Sequence, residues 1–167
     1  MTLSHVDDLG RARMVDVGAK PDTQREATAR GRVVMEPQTL ALIQQGGLPK
    51  GDVLAVAQVA GVLAAKRAHE LIPMCHPLLL THISVAFQPV SPAGLGESAA
   101  VDITATVRTT GKTGVEMEAL TAVAVAGLTI YDMCKAVDRG MRLEGVRLVH
   151  KRGGRSGEWT EEQPGGR

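Results

Sequence analysis

The chain has 167 residues, 44% of them hydrophobic and 22% charged, with a net charge of +1. That is one domain of ordinary size, able to bury about 70% of the surface its unfolded form exposes. The balance excludes disorder and supplies no electrostatic footprint for a nucleic-acid or membrane-surface partner. One Phe, one Trp and one Tyr leave a core of aliphatic and small side chains, and argue against a module that stacks bases on aromatic rings. Cys75 and Cys134 are too far apart in sequence to imply a disulfide framework or a zinc knuckle. Residues 1–8 have neither a basic stretch nor an apolar one, so no signal peptide is expected. The cleanest apolar runs, 53–65 and 119–131, have 13 residues each, short of the roughly 20 that span a bilayer. A soluble, cytoplasmic chain is the expectation.

Along the chain, residues 1–29 read as a polar, aperiodic arm. Residues 30–36 have a β-branched centre at Val33 and Val34 and read as a short strand. Pro37 opens a short helix over 38–45, which Gly46 and Gly47 end. Asp52 is placed to cap a helix running to about Glu70. Residues 72–77 read as extended, because Pro73 and Pro77 restrict their neighbours. Ile83, Val85 and Phe87, and then Val101, Ile103, Ala105 and Val107, alternate with polar or small residues, as in strands with one wet face. A loop, 91–98, separates them. A second loop, 110–114, leads to a helix over about 116–138. Residues 142–151 form a last strand, and 153–167 fray. One domain over 1–157 with a flexible tail, 158–167, is expected.

Without the extra short helix the order is β-α-β-β-α-β. This is the ferredoxin-like α+β sandwich: an antiparallel sheet with its helices on one face. The two long helices are apolar nearly all round and rich in Ala and Gly. Such helices are buried on every side, so a second subunit is expected to cover them.

Asp132 and Lys135 sit three apart, hence on one helix face, just after an apolar run. An acid beside a base there suits proton transfer, although an ordinary surface ion pair has the same spacing. Lys112, between Gly111 and Gly114, precedes a helix N-terminus where an anion can sit. Glu116 and Glu118 follow it and would equally serve as acidic capping of that helix. Met74, Cys75 and His76 group a thiol and an imidazole, but no neighbouring spacing matches a zinc site. Residues 139–155 carry six Lys or Arg against the single acid Glu144, which suits an anionic small molecule or a solvated strand edge. Glu118 and Asp132, fourteen residues apart on one helix, are separated by about 21 Å. Either they do separate work or two subunits share a pocket.

Lys112-Thr-Gly-Val-Glu-Met-Glu-Ala-Leu-Thr-Ala122 and Leu128-Thr-Ile-Tyr-Asp-Met-Cys-Lys-Ala-Val137 resemble the cyclic pyranopterin monophosphate synthases, the molybdenum cofactor biosynthesis protein C family. Met14-Val-Asp-Val17, Lys50-Gly-Asp52, Ala64-Ala-Lys-Arg67, Ile72-Pro-Met-Cys-His-Pro-Leu78 and Gly153-Gly-Arg-Ser-Gly157 extend the resemblance collinearly from about His5 to Gly157. It implies a ferredoxin-like fold and a homohexamer, a trimer of dimers with sites at subunit interfaces. It implies a lyase that rearranges a cyclised guanosine triphosphate and expels pyrophosphate. No resident cofactor or metal is implied, and Mg²⁺ accompanying the triphosphate is left open. The family's catalytic positions fall on Asp132, Lys135 and Lys50. Its substrate-binding positions fall on Met74, Cys75, His76, Glu116, Met117, Glu118 and Lys151, with Arg25 a further phosphate contact. The alternative is a non-catalytic ferredoxin-like ligand-sensing or assembly module, which has no need of Lys50, Asp132 and Lys135 together.

Overall fold

Strand β1 (Thr23–Met35) runs through the middle of the sheet in the computed structural model, which describes Arg11 and residues 13–161. Its odd-numbered residues Ala27, Ala29, Val33 and Met35 are buried, while Arg30 and Arg32 face solvent. Helices α1 (Pro37–Gln45), α2 (Val53–Lys66) and α3 (Ala68–Leu71) follow, then β2 (Leu80–Val90) and β3 (Ala99–Gly111). Helix α4 (Glu116–Cys134), β4 (Arg142–Arg152) and a two-residue β5 (Trp159–Thr160) complete the chain.

The sheet order is β2-β3-β1-β4-β5, with every pair antiparallel. β1 and β3 pair over their whole length, from Thr23 opposite Gly111 to Met35 opposite Ala99. Helices α2 and α4 pack on each other and on one face of the sheet. This is the ferredoxin-like arrangement expected from the strand and helix order. The small residues explain how closely the layers approach. A Cβ on Gly61 would lie 3.1 Å from the Ala122 carbonyl oxygen, and one on Gly31 would lie 2.7 Å from a Val123 methyl. Glycine therefore sets both the helix–helix and the helix–sheet spacing.

At 19 residues, α4 is long and apolar enough to cross a membrane by length and composition alone. Here it buries Ala119, Ala122, Val123, Ala126 and Ile130 and serves as the core helix. The outer side of α2 is different. Val56, Val59 and Leu63 recur at helical spacing and remain 45–59% exposed, as does Leu128 on α4. One chain alone thus leaves an apolar stripe open to solvent.

Several boundaries differ from expectation. β1 begins at Thr23, so the arm is shorter than 1–29. The polar first half of the strand hides a small-residue alternation, and pairing on both sides overrides weak propensity. The helix expected to reach Glu70 breaks at Arg67 (φ −118°), leaving α3 as a separate turn. α4 ends at Cys134 instead of near residue 138, because Asp138 turns away to bond α1. Residues 72–77 are not extended throughout: the Cys75 amide donates to the Ile72 carbonyl at 3.0 Å. Pro73 stands second in that turn, where its fixed φ favours it. β5 adds strand pairing within the segment expected to fray: His150 pairs with Thr160, and Lys151 with Trp159. The expectations for residues 1–8 and for the tail beyond 161 lie outside the described residues.

Candidate active site

The last turn of α4 carries Asp132, and Lys135 follows as its C-cap, three residues on. Lys50 reaches them from the turn between α1 and α2, closed by a bond from the Gly51 amide to the Leu48 carbonyl. Its Nζ donates to Asp132 Oδ2 at 2.8 Å and to the Asp132 carbonyl at 3.0 Å. Lys135 Nζ lies 2.8 Å from Asp132 Oδ1. The two lysines thus grip one carboxylate from both sides, at the edge of a depression of about 310 Å³ that Tyr131 and Arg139 also line. Hydrogen bonds from Lys135 and then Lys50 pull the Asp132 carboxyl down to about 2, and Asp132 in turn raises Lys135. The geometry thus sets one carboxylate, held ionised well below neutral pH, between two lysine side chains.

The first turn of α4 builds a second cluster. Glu118 is only 3% exposed, and burial raises its carboxyl above the usual range. The Cys75 thiol donates to Glu118 Oε1 at 3.3 Å, while Oε2 has no partner. A buried acceptor without a donor is an open position for a ligand. Burial and the Glu118 charge push the Cys75 thiol up to about 12. That makes it a hydrogen-bond donor and not a nucleophile. His76 Nε2 lies 3.1 Å from the Val15 carbonyl. Because residues 72–75 turn, Met74, Cys75 and His76 all line one cavity of about 210 Å³ with Glu116, Met117 and Glu118.

A third cavity, of about 460 Å³, adjoins it and shares Lys20, Thr113, Gly114 and Glu116. It is a basic basin: Lys20, Arg25, Lys112, Lys151 and Arg155 surround the single carboxylate of Glu116. Lys151 Nζ donates to Ser156 Oγ at 2.8 Å and to Glu116 Oε1 at 3.3 Å. Arg25 lies within β1 and not in an arm. Its Nε and Nη2 donate to the carbonyls of Gly111 and Lys112 at 2.8 and 3.0 Å, fixing the loop before α4. Ser156 was not among the expected ligands, and its only sequence signal is its place in the glycine-rich 153–157 loop.

The expected residues therefore fall into two groups. Met74, Cys75, His76, Glu116, Met117, Glu118, Lys151 and Arg25 gather around the two adjoining cavities. Lys50, Asp132 and Lys135 gather at the other end of α4, about 21 Å away. Among the described residues no three His, Cys, Asp or Glu side chains group as a metal site. A further cavity, about 610 Å³, lies on the helix-free face of the sheet and holds none of these residues. Arg32 pairs there with Asp102, and Arg147 with Glu161.

Residues 14–154 match the MoaC family model. The chain belongs to the MoaC family. Relatives extend the match at high identity over nearly the full length of both chains. A protein named cyclic pyranopterin monophosphate synthase from Chloroflexus aggregans is 67% identical over 161 residues, 96% of this chain and 94% of its own. One of the same name from Roseiflexus sp. is 62% identical, covering 96% and 98%. Another from Pelotomaculum thermopropionicum is 60% identical, covering 96% of each chain. The MoaC match spans both ends of α4, and so includes both groups of site residues.

Proposed function

We propose that this chain is a cyclic pyranopterin monophosphate synthase, a lyase of molybdenum cofactor biosynthesis. Its substrate would be 3′,8-cyclo-7,8-dihydroguanosine 5′-triphosphate, and its products cyclic pyranopterin monophosphate and pyrophosphate. The observation that carries this reading is the junction of the two cavities. A buried carboxylate with a free oxygen, Glu118, adjoins a basin of five cations. The N–H edge of a guanine-derived ring supplies the donors that Glu118 lacks, and a triphosphate supplies the anion that the basin wants.

In this reading Met74, Cys75, His76, Glu116 and Met117 hold the ring-bearing part. Lys151 and Arg25 meet the phosphates, with Ser156 orienting the Lys151 ammonium. Lys50 and Lys135 deliver protons during ring opening and re-closure, and Asp132 keeps both side chains aimed. Closure of the cyclic phosphate displaces pyrophosphate from the α-phosphorus. The 21 Å between the two groups supports a site completed by a second subunit. The open stripe at Val56, Val59 and Leu63 supports that association. A homohexamer built as a trimer of dimers, with a cytoplasmic location, belongs to the same proposal. No resident cofactor is assigned, and any Mg²⁺ would enter with the triphosphate as part of the substrate.

The test is pyrophosphate release from the cyclised triphosphate by wild type and Asp132→Asn side by side. Release by wild type alone is expected. No release by folded, oligomeric wild type would refute the assignment.

A further inference from the structure

Residues 15–20 form a strap across both cavities. Val15 and Val17 line the smaller one, Lys20 lines both, and Pro21 follows at the larger. The strap precedes β1 and has no strand partner. Two local turns shape it: the Gly18 amide donates to Asp16 Oδ1 at 2.7 Å, and the Lys20 amide to the Val17 carbonyl at 3.0 Å. Two side chains tie it down. Lys112 Nζ donates to the Gly18 carbonyl at 2.6 Å, and His76 Nε2 meets the Val15 carbonyl at 3.1 Å.

The second bond decides a tautomer. A carbonyl oxygen only accepts, so His76 Nε2 carries the proton, and in the neutral ring Nδ1 is the sole acceptor. Lys112 has no carboxylate partner among the described residues. Its ammonium is committed to the strap, and its own carbonyl is held by Arg25.

We propose that Lys112 is a positioning residue for the site. Through the Gly18 carbonyl it holds the 15–20 strap, and through the Val15 carbonyl the strap fixes His76 as the Nε2-protonated ring. A donor on the substrate then meets an imidazole whose accepting nitrogen is already set. The effect on turnover rests on the reaction proposed above; the tautomer assignment does not.

The experiment uses full-length protein with ¹⁵N-labelled histidine, at about pH 8 where an ordinary imidazole is neutral. Wild type, Lys112→Met and Lys112→Arg are compared, with the His76 signals assigned through His76→Gln. Wild-type His76 is expected as one tautomer with Nδ1 unprotonated. Lys112→Met should shift it toward a mixture, and Lys112→Arg should restore it. For the cyclised triphosphate, Lys112→Met should raise KM about three- to ten-fold with kcat within about two-fold. Asp16→Ala, which loosens the strap without touching Lys112, should shift both readouts the same way and serves if Lys112→Met fails to fold. Unchanged His76 signals in the loosened variants would overturn the proposal. So would a shifted tautomer with KM unmoved, or a collapse of kcat at constant KM. If wild type turns over no substrate, the proposed reaction fails, and the His76 spectra still decide this assignment.

Discussion

Glu118 and Asp132 share helix α4 and stand at its opposite ends, about 21 Å apart. Neither can reach a small molecule held by the other within one chain. Two inactive variants should therefore repair each other. Glu118→Gln and Asp132→Asn, dissociated and reassembled together, should regain roughly a quarter of wild-type turnover, as random pairing leaves one intact site in each mixed dimer. Pyrophosphate release before and after mixing measures it, and an absence of recovery in mixed oligomers would place both residues in one chain's site.

Asp132→Asn should lower turnover by at least about 100-fold while leaving the fold intact, since each side chain of the trio is at least half exposed. Its titration has a definite sign. The folded carboxyl sits near 2, below its ordinary 3.8. Its stabilising effect is present above the ordinary value and is lost as pH falls toward the folded one. Wild type should melt slightly above Asp132→Asn above about pH 5, and the two should converge as pH falls toward about 2.

Much of this was legible in the residues themselves. The period-two runs around Ile83 and Ile103 mark β2 and β3, and Pro37 with Gly46 brackets α1, because local chemistry alone dictates those features. The first half of β1 was not legible. Ala27 and Ala29 carry little hydrophobic signal, and their burial follows from pairing with residues about 80 and 120 positions away. Asp132 and Lys135 showed their shared face through helical spacing, whereas Lys50 entered only through the family resemblance. Its contact with Asp132 spans 82 positions, and no local pattern encodes such a meeting. Ser156 was hidden for the same reason, as its role depends on how the 153–157 loop folds back over Lys151.

The thiol of Cys75 should resist alkylation. With its pKa near 12, almost no thiolate exists at about pH 8, and labelling by iodoacetamide should run more than about 100-fold slower than for a free cysteine. Glu118→Gln removes the negative charge that adds to burial, so Cys75 should label faster in that variant, though still below the free rate. Peptide mapping separates it from Cys134, which burial also raises, to about 11.

Glu118 itself should make stability depend on pH in the opposite sense to Asp132. Its folded carboxyl titrates above the ordinary 4.5. The contribution is intact below that value and is lost as pH rises through the folded one. Glu118→Gln should melt higher than wild type at about pH 7 and match it near pH 4. Equal melting at both would show that the buried carboxylate is no burden to the fold.

Asp138 ties the end of α4 to the start of α1. Its Oδ2 accepts from the Glu36 amide at 2.9 Å and from Thr39 Oγ1 at 3.1 Å, and its Oδ1 accepts from the Gly140 amide at 3.0 Å. Asp138→Ala leaves these donors without an acceptor and should cost about 1–3 kcal/mol, read as a lower denaturant midpoint. Asp138→Asn, which keeps one of the two acceptor oxygens, should lose less.

The scarcity of aromatic rings gives the molecule a built-in optical probe. Its single tryptophan, Trp159, lies in β5 directly opposite Lys151, three residues beyond the serine that lysine engages. Intrinsic emission excited at the indole band therefore comes from one position, beside the basic basin. Titration with pyrophosphate should be visible in that emission without any label, and a stopped-flow trace would time the loop's response separately from the chemistry.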